Sequence, residues 1–251
     1  MPREILRERT VIPVDGQTAM GAYLARPSGP GQYPAVIIGM ELFGVTQHIR
    51  NVTDRVAELG YLAIAPDFYH RVGPGVELTY DQTGRTKDFE LLHQVNREDA
   101  VQDVHATMHF LKQRLDFRGR IGFLGFSVGG HIGYLAATRL HLAACAVFYA
   151  GWLPSTDVEL SQPEPTLTLT PGIARNGGRI IYFVGENDFL VTASQRKEIA
   201  SALAAVNVRH EMVIYPGVQH GFFCDERDTF DKASRDDAWK RTIELFSSEL
   251  R

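Results

Sequence analysis

The sequence predicts an α/β fold with a mostly parallel central sheet of about eight strands flanked by helices. Three observations carry this reading. Short apolar or β-branched runs alternate with segments of helical spacing along the 251 residues. Several of those runs are apolar throughout, as in strands covered on both faces. The strand–helix–strand rhythm implies right-handed crossovers, and these make neighbouring strands parallel. The length fits a single domain, taken as residues 1–251, and an apolar content of 44% is enough for a sizeable core.

The first two strand runs, "RTVIPV" (9–14) and "MGAYLAR" (20–26), alternate in character and read as an antiparallel edge. "YPAVIIGM" (33–40) is the first fully apolar strand, followed by the helical stretch "VTQHIRNVTDRVAELG" (45–60). "LAIAPD" (62–67) is the next strand. The helix "NREDAVQDVHATMHFLKQRL" (96–115) places Ala100, Val104, Met108 and Leu111 on one face. "RIGFLGFS" (120–127) then runs into the helical "VGGHIGYLAATRL" (128–140). Strands "ACAVFYA" (144–150), "RIIYFVG" (179–185) and "RHEMVIYP" (209–216) follow, with helices at "LVTASQRKEIASALAAV" (190–206) and "DDAWKRTIELFSSEL" (236–250). Two stretches break the rhythm. Residues 70–92 are polar and Gly-bearing, and residues 152–178 carry four prolines. Both are read as long loops, functional or mobile.

Composition excludes some classes. A formal net charge of -4 and the lack of any basic cluster argue against nucleic acid as a partner. Two cysteines make no disulfide framework. Cys145 reads as a core residue and Cys224 as a bystander near a functional loop. The start "MPREILRERT" lacks the apolar core of a signal peptide, and no run approaches the roughly 18 apolar residues of a membrane span. A cytoplasmic protein with no membrane partner is expected, and a homo-oligomer is left open.

The chemistry starts at "GFSVG", Gly125 to Gly129. This G-x-S-x-G pattern suits a tight turn from strand to helix with Ser127 at its apex, where side chains at the glycine positions would collide with neighbouring backbone. The hydroxyl then projects above the carboxyl ends of the parallel strands, where open α/β sheets bind ligands. The pattern is common by chance, but here an apolar strand precedes it and a helix follows. A turn that merely packs a helix on a strand is the bland alternative. A dinucleotide loop is disfavoured because the next strand ends "FYAGW", with no acid.

A serine needs a base to take its proton. In α/β-hydrolases the order is Ser, Asp or Glu, then His. Asp188 follows the strand "RIIYFVG", with Glu186 as the nearby competitor, and His220 follows "RHEMVIYP". Three such groups at three strand ends, in that order, are far more specific than any one of them. Ser127 is thus the expected nucleophile, His220 the base and Asp188 its orienter. The oxyanion is expected on the backbone N–H of Val128 and that of Leu42.

"MELFGV", "APDFYHR", "GFSVGG", "VGENDFLV" and "YPGVQHGFFCDER" together resemble the dienelactone hydrolase (carboxymethylenebutenolidase) family over roughly residues 10–250. The resemblance implies the α/β-hydrolase fold and hydrolysis of an enol-lactone or related small ester with no metal or cofactor. It also implies a role for Glu41, whose counterpart contacts the nucleophile and helps control its ionisation. The chain departs from the family at the nucleophile, which is typically cysteine. A natural serine esterase is the favoured reading, and a replacement that traps substrate is the other. A second departure is Cys224, four residues after His220, where the resemblance implies an arginine that holds a substrate carboxylate. Arg71, Arg85 and Arg227 are candidate replacements. Tyr69, Trp152 and Phe222, with Phe43 and Phe223, are candidates to line the pocket. A catalytically silent binding module, or acyl transfer or perhydrolysis on the same residues, are the alternative functions.

Overall fold

The computed structural model describes residues 3–251, apart from the side chains at positions 82, 83, 85, 86 and 88. Strand β1 (Ile5–Pro13) pairs antiparallel with β2 (Ala19–Pro27), from Ile5 opposite Pro27 to Pro13 opposite Ala19. This is the expected antiparallel edge, but β1 begins four residues earlier than "RTVIPV". Its first half faces solvent, so backbone pairing sets its start and no apolar pattern marks it.

The remaining strands are β3 (Tyr33–Gly39), β4 (Leu62–Pro66), β5 (Phe117–Phe126), β6 (Ala144–Phe148), β7 (Arg179–Gly185) and β8 (Arg209–Tyr215). The sheet order is β1-β2-β4-β3-β5-β6-β7-β8. From β4 to β8 every pairing is parallel. All five residues of β4 and of β6 are buried, as continuous apolar runs demand. The carboxyl ends of β3, β5, β7 and β8 therefore open on one rim of the sheet.

The helices are α1 (Gln47–Glu58), α2 (Gln82–Leu92), α3 (Arg97–Lys112), α4 (Val128–Arg139), α5 (Pro171–Asn176), α6 (Ala193–Ala205) and α7 (Lys232–Glu249). Two of them lie where the sequence predicts loops. Helix α2 occupies the second half of the 70–92 stretch. Asp81 caps it, accepting from the Gly84 N–H at 2.9 Å.

The Pro-rich 152–178 stretch holds two 3-10 turns and α5. It is packed down by buried polar side chains. Arg97 of α3 donates through Nε to the Leu160 carbonyl at 3.2 Å and through Nη2 to that of Glu164. His131 of α4 donates through Nδ1 to the Gly151 carbonyl at 2.9 Å and accepts at Nε2 from the Thr166 hydroxyl at 2.8 Å. Tyr134 and Thr170 share a 2.7 Å hydrogen bond. These partners come from helices distant in sequence, which is why the stretch reads as an open loop until it is folded.

Candidate active site

At the turn between β5 and α4, Ser127 has φ 51° and ψ -115°, a conformation that costs a non-glycine residue of order 1–3 kcal/mol. The neighbouring glycines make the turn sterically accessible. A Cβ on Gly129 would lie 2.3 Å from the carbonyl carbon of Gly39, and one on Gly125 would lie 2.2 Å from the Gly129 carbonyl oxygen. Two backbone bonds hold the turn: Ser127 N–H to Phe148 O at 2.9 Å, and Gly129 N–H to Met40 O at 3.0 Å. Beneath it, the buried ring of Phe126 packs on Phe148 and Phe223 with centroids 4.9 and 5.0 Å away.

Asp188 sits on the turn that follows β7. Its Oδ1 accepts from the N–H groups of Leu190 at 2.8 Å and Val191 at 3.2 Å. Arg196 of α6, itself buried, donates to the carbonyls of Glu186 at 3.1 Å and Val191 at 2.9 Å, so it brackets the turn from both sides. Sequence reading missed this arginine, because its partners are main-chain carbonyls that no motif marks. The competitor Glu186 points elsewhere: its exposed carboxylate accepts from the Gly217 N–H at 2.8 Å.

His220 lies beyond β8 and bridges the other two. Its Nδ1 donates to the Asp188 carboxylate at 2.9 Å, and its Nε2 accepts from the Ser127 hydroxyl at 3.1 Å. All three residues are buried. The rings of Tyr149 and Phe189 stand edge-on to the imidazole, with centroids 4.8 and 5.4 Å away.

A cavity of about 290 Å³ opens over Ser127 and His220. Glu41, Leu42 and Phe43 line it from the end of β3, and Phe189 and Leu190 from the end of β7. Phe89 enters from α2, and Gln219, Arg227 and Thr229 come from the chain around His220. Size alone does not mark the site. A cavity of about 440 Å³ beside Lys112, Arg120 and His141 has no carboxylate, hydroxyl or thiol side chain in its lining. Among the described residues, no group of three or more His, Cys, Asp or Glu side chains is placed to hold a metal ion.

Glu41 is buried at the cavity wall. It accepts from the Tyr149 hydroxyl at 2.9 Å and faces Arg227 Nη1 at 3.4 Å. Its hydrogen bonds among the described residues go to these two side chains and not to Ser127. Burial, reinforced by the Glu41 charge, pushes the Tyr149 phenol well above its ordinary pKa and keeps it a donor. Burial first, then Glu41, push the Cys224 thiol up to about 12, so it stays protonated at neutral pH. Gly221, with φ +78°, leaves room for Arg227: a Cβ there would meet Arg227 Nη1 at 2.2 Å. Arg227 Nε and Thr229 Oγ1 are buried without a hydrogen-bond partner among the described residues. Neither the Leu42 nor the Val128 N–H has a protein acceptor among the described residues.

The other expected binding residues fall elsewhere. Arg71 is held by the buried Asp103 of α3, with Nη1 2.8 Å from either carboxylate oxygen, and does not line the cavity. The Arg85 side chain lies outside the described residues. Tyr69 is buried behind the site and donates to the Leu42 carbonyl at 2.9 Å. Phe222 is fully buried against Tyr149 and Tyr215, and Phe223 packs on Phe126. Trp152 is half-buried and belongs to the packed 152–178 stretch, where its carbonyl accepts from Ser161. Phe43 and Arg227 do line the cavity. Phe89 and Phe189 escaped sequence reading because their exposure at a cavity mouth is a tertiary property.

Residues 20–250 match the dienelactone hydrolase family. The chain belongs to the dienelactone hydrolase family. It is 36% identical over 248 residues to a Synechocystis sp. protein named "Putative carboxymethylenebutenolidase", covering 96% of this chain and 97% of that one. It is 28% identical to "Carboxymethylenebutenolidase 1" of Cupriavidus pinatubonensis, covering 90% and 91%. A crystal structure titled as a putative dienelactone hydrolase from Klebsiella pneumoniae subsp. pneumoniae superposes with a TM-score of 0.87 at 29% identity, covering 98% of this chain and 99% of that chain. The family and the architecture together establish an α/β-hydrolase fold and a dienelactone hydrolase-like hydrolase. No helix among the described residues is long and apolar enough to cross a membrane.

Proposed function

We propose that this chain hydrolyses small carboxylic esters or lactones through a Ser127–His220–Asp188 relay and an acyl-enzyme. The observation that carries the reading is the unbroken chain of contacts from the Ser127 hydroxyl through the imidazole to Asp188, 3.1 and 2.9 Å long, at the floor of a cavity. Ser127 Oγ attacks the ester carbonyl as its proton passes to His220 Nε2. The oxyanion that develops takes hydrogen bonds from the N–H groups of Leu42 and Val128. Collapse expels the alcohol, which receives the proton from Nε2 and leaves Ser127 acylated. Water then attacks the acyl carbon, its proton going to Nε2. Release of the acid returns that proton to Ser127 Oγ. Asp188 holds the imidazole tautomer and stabilises the imidazolium at each stage.

Glu41 offsets the charge of Arg227, so this part of the cavity wall carries little net charge. This favours neutral esters over a small anionic lactone.

The test is a p-nitrophenyl short-chain ester, assayed with and without a serine-directed organophosphonate and followed by intact mass. The expected result is turnover, one adduct mapping to Ser127, and loss of both in Ser127→Ala, with kcat down by roughly 10⁴–10⁶-fold. Turnover that survives Ser127→Ala, or no turnover and no adduct in the wild type, overturns the reading.

A further inference from the structure

A single exposed apolar side chain is ordinary, but exposed apolar side chains gathered at one cavity mark a binding surface. Six large apolar side chains are exposed among the described residues, and only two of these are aromatic: Phe189, 70% exposed, and Phe89, 43% exposed. Both line the cavity over Ser127. Phe189 stands on a braced backbone. It directly follows Asp188, whose carboxylate accepts the next two N–H groups, and Arg196 ties down the carbonyls on either side of the turn. Its ring meets the His220 imidazole edge-on at 5.4 Å.

We propose that Phe189 is the specificity-determining residue for the alcohol half of the substrate, and that it selects esters of bulky apolar alcohols, aromatic ones above all. The inference rests on the proposed ester hydrolysis and deepens it. In that reaction His220 Nε2 delivers the proton to the departing oxygen, so that oxygen must come within about 3 Å of Nε2. The carbon group it carries is then held beside the imidazole, where the Phe189 ring lies. Phe89 adds apolar surface to the same cavity from α2. An aromatic alcohol buries both its own surface and that of Phe189, and ring–ring contact adds to the gain.

Three esters separate the halves of the substrate: benzyl acetate, ethyl acetate and ethyl phenylacetate. Wild type and Phe189→Ala are compared by kcat/KM. The expected result is that the benzyl acetate to ethyl acetate ratio falls at least about ten-fold in the variant. The ethyl phenylacetate to ethyl acetate ratio stays within about two-fold. A benzyl ratio that does not move, including an equal loss on all three esters, overturns the inference and makes Phe189 a support for His220. A selective loss on ethyl phenylacetate also overturns it, because the ring then serves the acyl half. A wild type that hydrolyses none of the three fails the proposed function itself, and the inference falls with it. A wild type that turns them over with ratios indifferent to residue 189 fails this inference alone.

Discussion

The connections after β4 and after β6 are both long, polar and rich in turn residues, yet they end up in different roles. The one after β6 is anchored along its length. Arg97, His131 and Tyr134 reach it from α3 and α4, and none of its residues lines the cavity over Ser127. The one after β4 is held by polar contacts in its first half, through Arg71 to Asp103 and Tyr80 to Thr46, and by the buried Leu91, Leu92 and Val95 at its far end. Its second half forms α2, which brings Phe89 to the cavity. Length and polarity do not decide whether a connection serves a site. What decides it is where the rest of the fold places buried partners for its backbone.

That contrast can be broken experimentally, and the largest effect is expected at Arg97. Arg97→Ala removes two charge-assisted hydrogen bonds, one of them to the buried Leu160, at a cost of about 2–4 kcal/mol, a fall in Tm of roughly 5–15 °C, while ester turnover per folded molecule changes by less than about three-fold. A collapse of kcat with unchanged Tm would place the β6 connection in the site. A second effect comes from acid. Burial lowers the His131 pKa to about 4, against 6.5 in the unfolded chain. The unfolded state therefore binds more protons between those values, and stability falls by up to about 3 kcal/mol as pH drops from 6.5 to 4. Chemical denaturation across that range should show this slope in the wild type and a flatter one in His131→Gln.

Smaller effects sharpen the comparison. Thr170→Val removes the hydroxyl shared with Tyr134 and should cost about 1–2 kcal/mol in urea titrations, without moving KM. Phe89→Ala, on the other connection, should change stability by less than about 0.5 kcal/mol, since the side chain is partly exposed. It should lower kcat/KM for an apolar ester about three- to ten-fold. Stability loss without a kinetic effect at Phe89 would erase the distinction.

The architecture was legible because its strands are apolar runs separated by helical spacing, and Leu62–Pro66 and Ala144–Phe148 are buried throughout. The strand-end positions of Ser127, Asp188 and His220 followed from the same pattern. What stayed hidden depends on partners far along the chain. Arg71 looked like a free cation until Asp103, 32 residues on, claimed it. Tyr69 and Phe222 carry the right chemistry for a pocket wall, but burial placed them behind it. Helix α2 has little apolar patterning, and Gly84 near its start disguises it.

The elbow at Ser127 has an evolutionary consequence. Its unusual backbone angles are imposed by the close approach of Gly125 and Gly129 to neighbouring main chain, so they do not depend on what hangs from the Cβ. Oxygen and sulfur can therefore trade places there by a one-letter codon change without rebuilding the hinge.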